Sequence, residues 1–134
     1  MSLLTVSSPH SVKATADRVV ALLERRGIEL FARIDHGGGA RADGLKLADE
    51  ELLIFGSPRA GTPLMQSDAT IGYELPLRML VWGHRGETRI ADRPARELKD
   101  SYGVADHAEI LDGMDGLLKD LVAYGVERGP HGAG

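Results

Sequence analysis

An aspartate followed at once by a histidine, Asp35-His36, is the pair in this chain best suited to acid–base chemistry. A carboxylate can orient an imidazole as a general base or as a metal ligand. Adjacent residues in a strand point to opposite faces, so the two side chains can cooperate only where a strand ends. There the aspartate is equally suited to capping the turn that follows. No serine or carboxylate stands at a spacing that completes a catalytic set, which makes a structural role the simpler reading. The five histidines form no ligand pattern and cysteine is absent, so neither a metal nor a cofactor is expected.

The second candidate is Gly56-Ser57-Pro58-Arg59-Ala60-Gly61-Thr62, which has the glycine spacing of a phosphate-binding loop between a strand and a helix. Threonine stands where that motif requires lysine, and this excludes a nucleotide triphosphatase. Two readings stay open. The loop can hold a carboxylate or phosphate weakly on backbone N–H groups at a helix start, or it is a tight connection whose glycines and prolines satisfy backbone geometry. Met65, Met79 and Met114 read as core filler, and Trp82, Tyr73, Phe31 and Phe55 as core or as the floor of a small apolar pocket or dimer surface.

The elements that must position these residues follow from periodicity. Leu3 to Val6 is a short β run, and Ser11 caps a helix over 12–26 with Val12, Ala16, Val19, Val20 and Leu23 on one face and Gly27 as its C-terminal stop. Ile28 to Asp35 alternates as a half-buried strand. The run Gly37-Gly38-Gly39 is flexible by composition, with room for at most a short helix over 40–43. Glu51 to Phe55 reads as a strand buried on both faces, and Thr62-Pro63 as the cap and first residue of a short helix ending at Ser67. Leu77 to Trp82 is a second apolar strand, joined through His84-Arg85-Gly86-Glu87 to Thr88–Ala91 as a hairpin. A short helix opens at Arg93-Pro94, and a long one runs from about Asp106 to Tyr124 despite Gly113 and Gly116. This order predicts an α+β fold, a mainly antiparallel sheet with two long helices on one face, in a single domain over 1–126 followed by a disordered tail over 127–134.

A chain of 134 residues is long enough for one core without disulfide staples. Its formal net charge of -4, with no basic cluster, lacks the electrostatic footprint of a nucleic-acid binder. No apolar run approaches a membrane span, and the N-terminus lacks the pattern of a signal peptide. A soluble, cytoplasmic chain is the expectation.

The ordered motifs Ile34-Asp35-His36, Ala42-Asp43-Gly44-Leu45, Ile54-Phe55-Gly56-Ser57-Pro58, Gly61-Thr62-Pro63-Leu64-Met65, Leu75-Pro76-Leu77 and Val81-Trp82 resemble the domain-of-unknown-function family numbered 302, over about residues 3 to 126. The resemblance implies a curved antiparallel sheet carrying long helices on one side, similar in outline to the TATA-binding protein, and a homodimer. It implies no established activity. Its signature falls here on Asp35, His36, Gly44, Phe55, Gly56, Pro58, Gly61, Thr62, Leu64, Met65, Pro76 and Trp82, and the chain departs from the pattern at Gly37-Gly38-Gly39. The expected site is a pocket between the Asp35-His36 strand end and the Gly56 to Met65 segment. Its expected ligand-binding residues are Asp35, His36, Phe55, Gly56, Gly61, Thr62, Met65 and Trp82. The expected function is a small-ligand or partner-binding module that self-associates. The alternative is a small hydrolase or isomerase with His36 as general base oriented by Asp35.

Overall fold

The computed structural model describes residues 3–129. Five antiparallel strands form one open sheet in the order β1-β5-β4-β3-β2: β1 Leu4–Ser8, β2 Glu29–Asp35, β3 Glu50–Gly56, β4 Leu77–His84 and β5 Glu87–Asp92. Two long helices, α1 Val12–Arg25 and α4 Ala108–Val126, pack on one face, giving the expected α+β architecture. Ser11 caps α1, its hydroxyl accepting from Ala14 N–H. Gly27, at φ +67°, ends that helix while the N–H groups of Gly27 and Ile28 close onto Glu24 and Leu23 carbonyls. A left-handed residue is what this closure requires.

Period-two burial fixes the sheet's orientation. Glu51, Leu53 and Phe55 of β3 and Met79 and Val81 of β4 point toward the helices and are buried. With Val19, Leu23, Ile90, Leu118 and Leu121 they form the main core. The opposite face of the central strands is apolar too, with Leu52, Ile54, Leu80 and Trp82 half-buried and, among the described residues, part of neither helix-covered core. A second core gathers Leu64, Ile71, Leu98, Val104, Leu111 and Met114 around the N-terminal half of α4. The β4–β5 hairpin turns at Arg85 and Gly86, both with positive φ, as a two-residue turn matched to strand twist demands.

Three local expectations are corrected. His36-Gly37-Gly38-Gly39 is helical: it opens α2, His36–Ala42, whose N-cap is Asp35. A Cβ on Gly37 would stand 3.0 Å from the Ala48 carbonyl oxygen, and one on Gly38 would collide with the Asp35 carboxylate. These glycines serve close approach. The helix expected to start at Thr62-Pro63 instead starts five residues earlier as α3, Pro58–Ser67, with Ser57 as N-cap and Pro63 inside it. Ser57-Pro58 is the same cap-plus-proline signature and prevails because it follows directly on β3. The N–H that Pro63 lacks would have met the carbonyl of Arg59, an exposed residue that water can reach. Finally, the tail expected to be disordered from 127 is held over its first residues. Arg18, almost fully buried, donates to the Tyr124 and Gly129 carbonyls and to the Glu127 carboxylate, and the His10 ring donates to the Glu127 carbonyl. Residues 130–134 lie outside the described residues.

Candidate functional site

Strand register separates the two halves of the expected site. Asp35 pairs with Glu51, whereas Gly56, at the other end of β3, pairs with Glu29. Five residues of strand put roughly 16 Å between those positions. The expected shared pocket is therefore two separate depressions at opposite ends of β2 and β3.

At the first end, the Asp35 carboxylate accepts from Gly38 N–H at 2.8 Å, a helix cap rather than a contact orienting the imidazole. His36 is exposed on the first turn of α2. Beside them lies a polar hollow of about 480 Å³ bordered by Lys13, Arg33, Asp35, Arg41, Asp49 and Glu51. Its charges already have partners. Arg33 reaches Glu51 at 2.5 Å and Asp17 at 2.8 Å, Lys13 reaches Asp17 at 2.9 Å, and Arg41 reaches Asp49 at 3.1 Å. Partial burial pushes the Asp17 carboxyl up, but hydrogen bonds from Lys13 and Arg33 outweigh it and hold the group below its ordinary value. The Glu51 hydrogen bond raises the Arg33 guanidinium in turn. Such a hollow reads as an ion-pair network that ties α1 to the sheet and α2 to the loop before β3. Among the described residues, no group of three or more His, Cys, Asp or Glu side chains could hold a metal ion.

At the other end, α3, the segment leading into β4 and the first half of α4 enclose a cleft of about 460 Å³. One wall is α3, with Pro58, Ala60, Gly61 and Met65; the opposite wall is α4, with Ile110, Gly113, Met114 and Leu117. Phe31, Leu75 and Pro76 complete it toward the sheet. Gly56 admits Pro76, whose Cβ would lie 3.4 Å from any Cβ placed there, and Gly61 admits Leu75 and Met65. The volume falls within the range of ordinary small-molecule sites.

At the start of α3, the N–H groups expected to bind anions are already engaged from Arg59 to Gly61. Pro58 has none, Arg59 N–H goes to the Ser57 hydroxyl, and those of Ala60 and Gly61 go to the Ser57 carbonyl. Among the expected ligand-binding residues, Gly56, Gly61, Thr62 and Met65 line the cleft. Phe55 is fully buried in the core, and Trp82 lies on the opposite face of the sheet beside Glu50 and Arg89. Asp35 and His36 are remote. Sequence reasoning missed the α4 wall, although Gly113, a costly glycine in a helix interior, marks where that wall opens.

Comparison with known proteins bears on the fold and the family. The model for the family described as Domain of unknown function DUF302 matches residues 4–121. A crystal structure of an uncharacterized conserved DUF302 protein from Bacillus stearothermophilus superposes with a TM-score of 0.78 at 19% identity, over 95% of this chain and 99% of that one. An 80-residue stretch, 60% of this chain, is 51% identical to part of the fluoride-specific ion channel FluC 1 of Brucella suis and to part of FluC 2 of Brucella melitensis. That stretch spans 32% and 30% of those two proteins, so this chain covers about a third of their length. Among the described residues, no helix is long and apolar enough to cross a membrane.

Proposed function

Because the chain belongs to the DUF302 family, whose description assigns no activity, we propose its function from its own surface: a module that binds a small ligand in the cleft between α3 and α4 and pairs with a second copy of itself. The cleft is the observation that carries this reading. It is preformed, of ligand size, and bounded by elements anchored in the second core. A thermal-shift screen of metabolites and lipids tests it: at least one class should raise the melting temperature, and a response from none would remove the reading.

Self-association draws its support from the sheet face opposite α1 and α4. Leu52, Ile54, Leu80 and Trp82, with the exposed Ile34 beside them, make that face more apolar than a solvated antiparallel face needs to be. Sedimentation should show a dimer at micromolar concentration that Leu80→Glu dissociates. A monomer in the unmodified chain would refute it.

A second reading rests on the likeness to part of two proteins named as fluoride channels. The module would then act as a partner of a membrane channel. Co-purification with such a channel from detergent extracts, lost on removing this chain's cleft or open face, is its test. The enzyme alternative, with His36 as general base, has weaker support, since the Asp35 carboxylate is engaged by Gly38 N–H. An unchanged substrate screen after His36→Ala would remove it.

A further inference from the structure

The chemistry of the cleft's walls limits what can occupy it. Among the described lining residues none is charged, and only Ser57 and Thr62 carry side-chain hydrogen-bonding groups. The Ser57 hydroxyl already accepts from Arg59 N–H. Beyond what the Ser57 and Thr62 hydroxyls can meet, each polar group carried into this space would lose its water without gaining a side-chain partner, at a cost of about 1–3 kcal/mol. Nucleotides, sugars and free amino acids carry several such groups. A flat aromatic system would find one ring, Phe31, and no second to sandwich it.

Two features favour a flexible aliphatic occupant. Met65 and Met114, one from each helical wall, are unbranched thioether chains that adapt to a guest without a fixed shape. The cleft is also open to solvent on one side, so a head group attached to an apolar chain can remain in water. We infer, resting on the ligand-binding reading above, that the cleft takes the aliphatic chain of a single-chain amphiphile and leaves its polar head at the mouth.

Gly113 gives this a direct test. It lines the cleft, and a Cβ built on it meets nothing within 4 Å, so a large side chain there enters the space the guest would use. Gly116, on the same helix, is equally unobstructed but lies outside the lining. The probes are decanoate and decyl maltoside below their micelle concentrations, phosphatidylcholine vesicles in a flotation assay, and AMP, glucose and glutamate as polar references. They are applied to the parent chain and to the Gly113→Trp, Ala60→Phe and Gly116→Leu variants, each checked for folding by circular dichroism. The inference expects calorimetric binding of decanoate or decyl maltoside that weakens on the order of tenfold or more in Gly113→Trp and Ala60→Phe and is unchanged in Gly116→Leu. Vesicle flotation abolished by the two cleft variants alone supports the same chain chemistry, supplied by a membrane. Amphiphile binding that survives both cleft variants overturns it. Binding of a polar reference in the cleft with none of the amphiphiles overturns the ligand class and leaves ligand binding standing, whereas no binding by any probe overturns both.

Discussion

Helix α4 carries three glycines whose surroundings predict substitutions of opposite sign. Around Gly113 and Gly116, a Cβ meets nothing within 4 Å. Alanine at either site should stabilise the chain by about 0.5–1 kcal/mol, through higher helix propensity and a less flexible unfolded state. For a domain of this size that is roughly 2–4 °C in melting temperature. At Gly125, in the last turn, a Cβ would stand 2.9 Å from Val19 Cγ2, 3.6 Å from Ile90 Cδ1 and 3.7 Å from Thr15 Cγ2. Val19 is fully buried and β-branched, so it has little freedom to move aside. Overpacking of that kind costs about 1–3 kcal/mol, which exceeds the smaller propensity gain near a helix end. Gly125→Ala should therefore destabilise. Urea denaturation followed by far-UV circular dichroism gives all three values. A Gly125→Ala variant as stable as the parent, or a Gly113→Ala variant less stable, would refute the account of α1–α4 packing.

Other outcomes follow from single contacts. Asp35→Ala removes the α2 cap and should cost about 1 kcal/mol in the same denaturation assay, with faster amide exchange at Gly38. Arg18→Met removes the guanidinium donor from the Tyr124 and Gly129 carbonyls and should cost about 2–4 kcal/mol, with the end of α4 losing hydrogen-exchange protection first. Burial, reinforced by the Asp115 carboxylate, holds the Asp92 carboxyl above its ordinary value of 3.8. An acid raised in the folded state favours folding while protonated, so its contribution is present below the unfolded value and is lost as pH rises through the folded one. Asp92→Asn should accordingly be more stable than the parent at neutral pH, and the difference should shrink on acidification toward the ordinary aspartate range. An Asp92→Asn variant that is less stable at neutral pH would contradict this.

The elements set by local signals were legible. Ser11 and Gly27 bracket α1 as their cap chemistry requires, and Arg85-Gly86 turns the β4–β5 hairpin. Composition misled where tertiary contact decides. A run of three glycines suggests freedom, yet Gly37 and Gly38 are small because the Ala48 carbonyl and the Asp35 carboxylate lie against them. Two cap-plus-proline signatures compete in residues 57–63, and the one abutting β3 set the start of α3. The separation of Asp35 from Gly56 did have a signal in the chain. Consecutive antiparallel strands place the end of the first beside the start of the second, so the end of β2 meets Glu51 and not Gly56. The cleft was the least legible feature, since its walls come from α3 and α4, about fifty residues apart, and Ile110, Met114 and Leu117 read in isolation as ordinary core positions.

The methionine methyl groups give the most direct measurement of the central claim. Met65 and Met114 line the cleft, whereas Met79 is fully buried in the other core, beneath α1. In a methyl-labelled sample titrated with decyl maltoside below its micelle concentration, the Met65 and Met114 resonances should shift together and saturate while Met79 stays in place. Resonances that stay fixed at Met65 and Met114 across the titration, or a response centred on Met79, would contradict the cleft as the binding site.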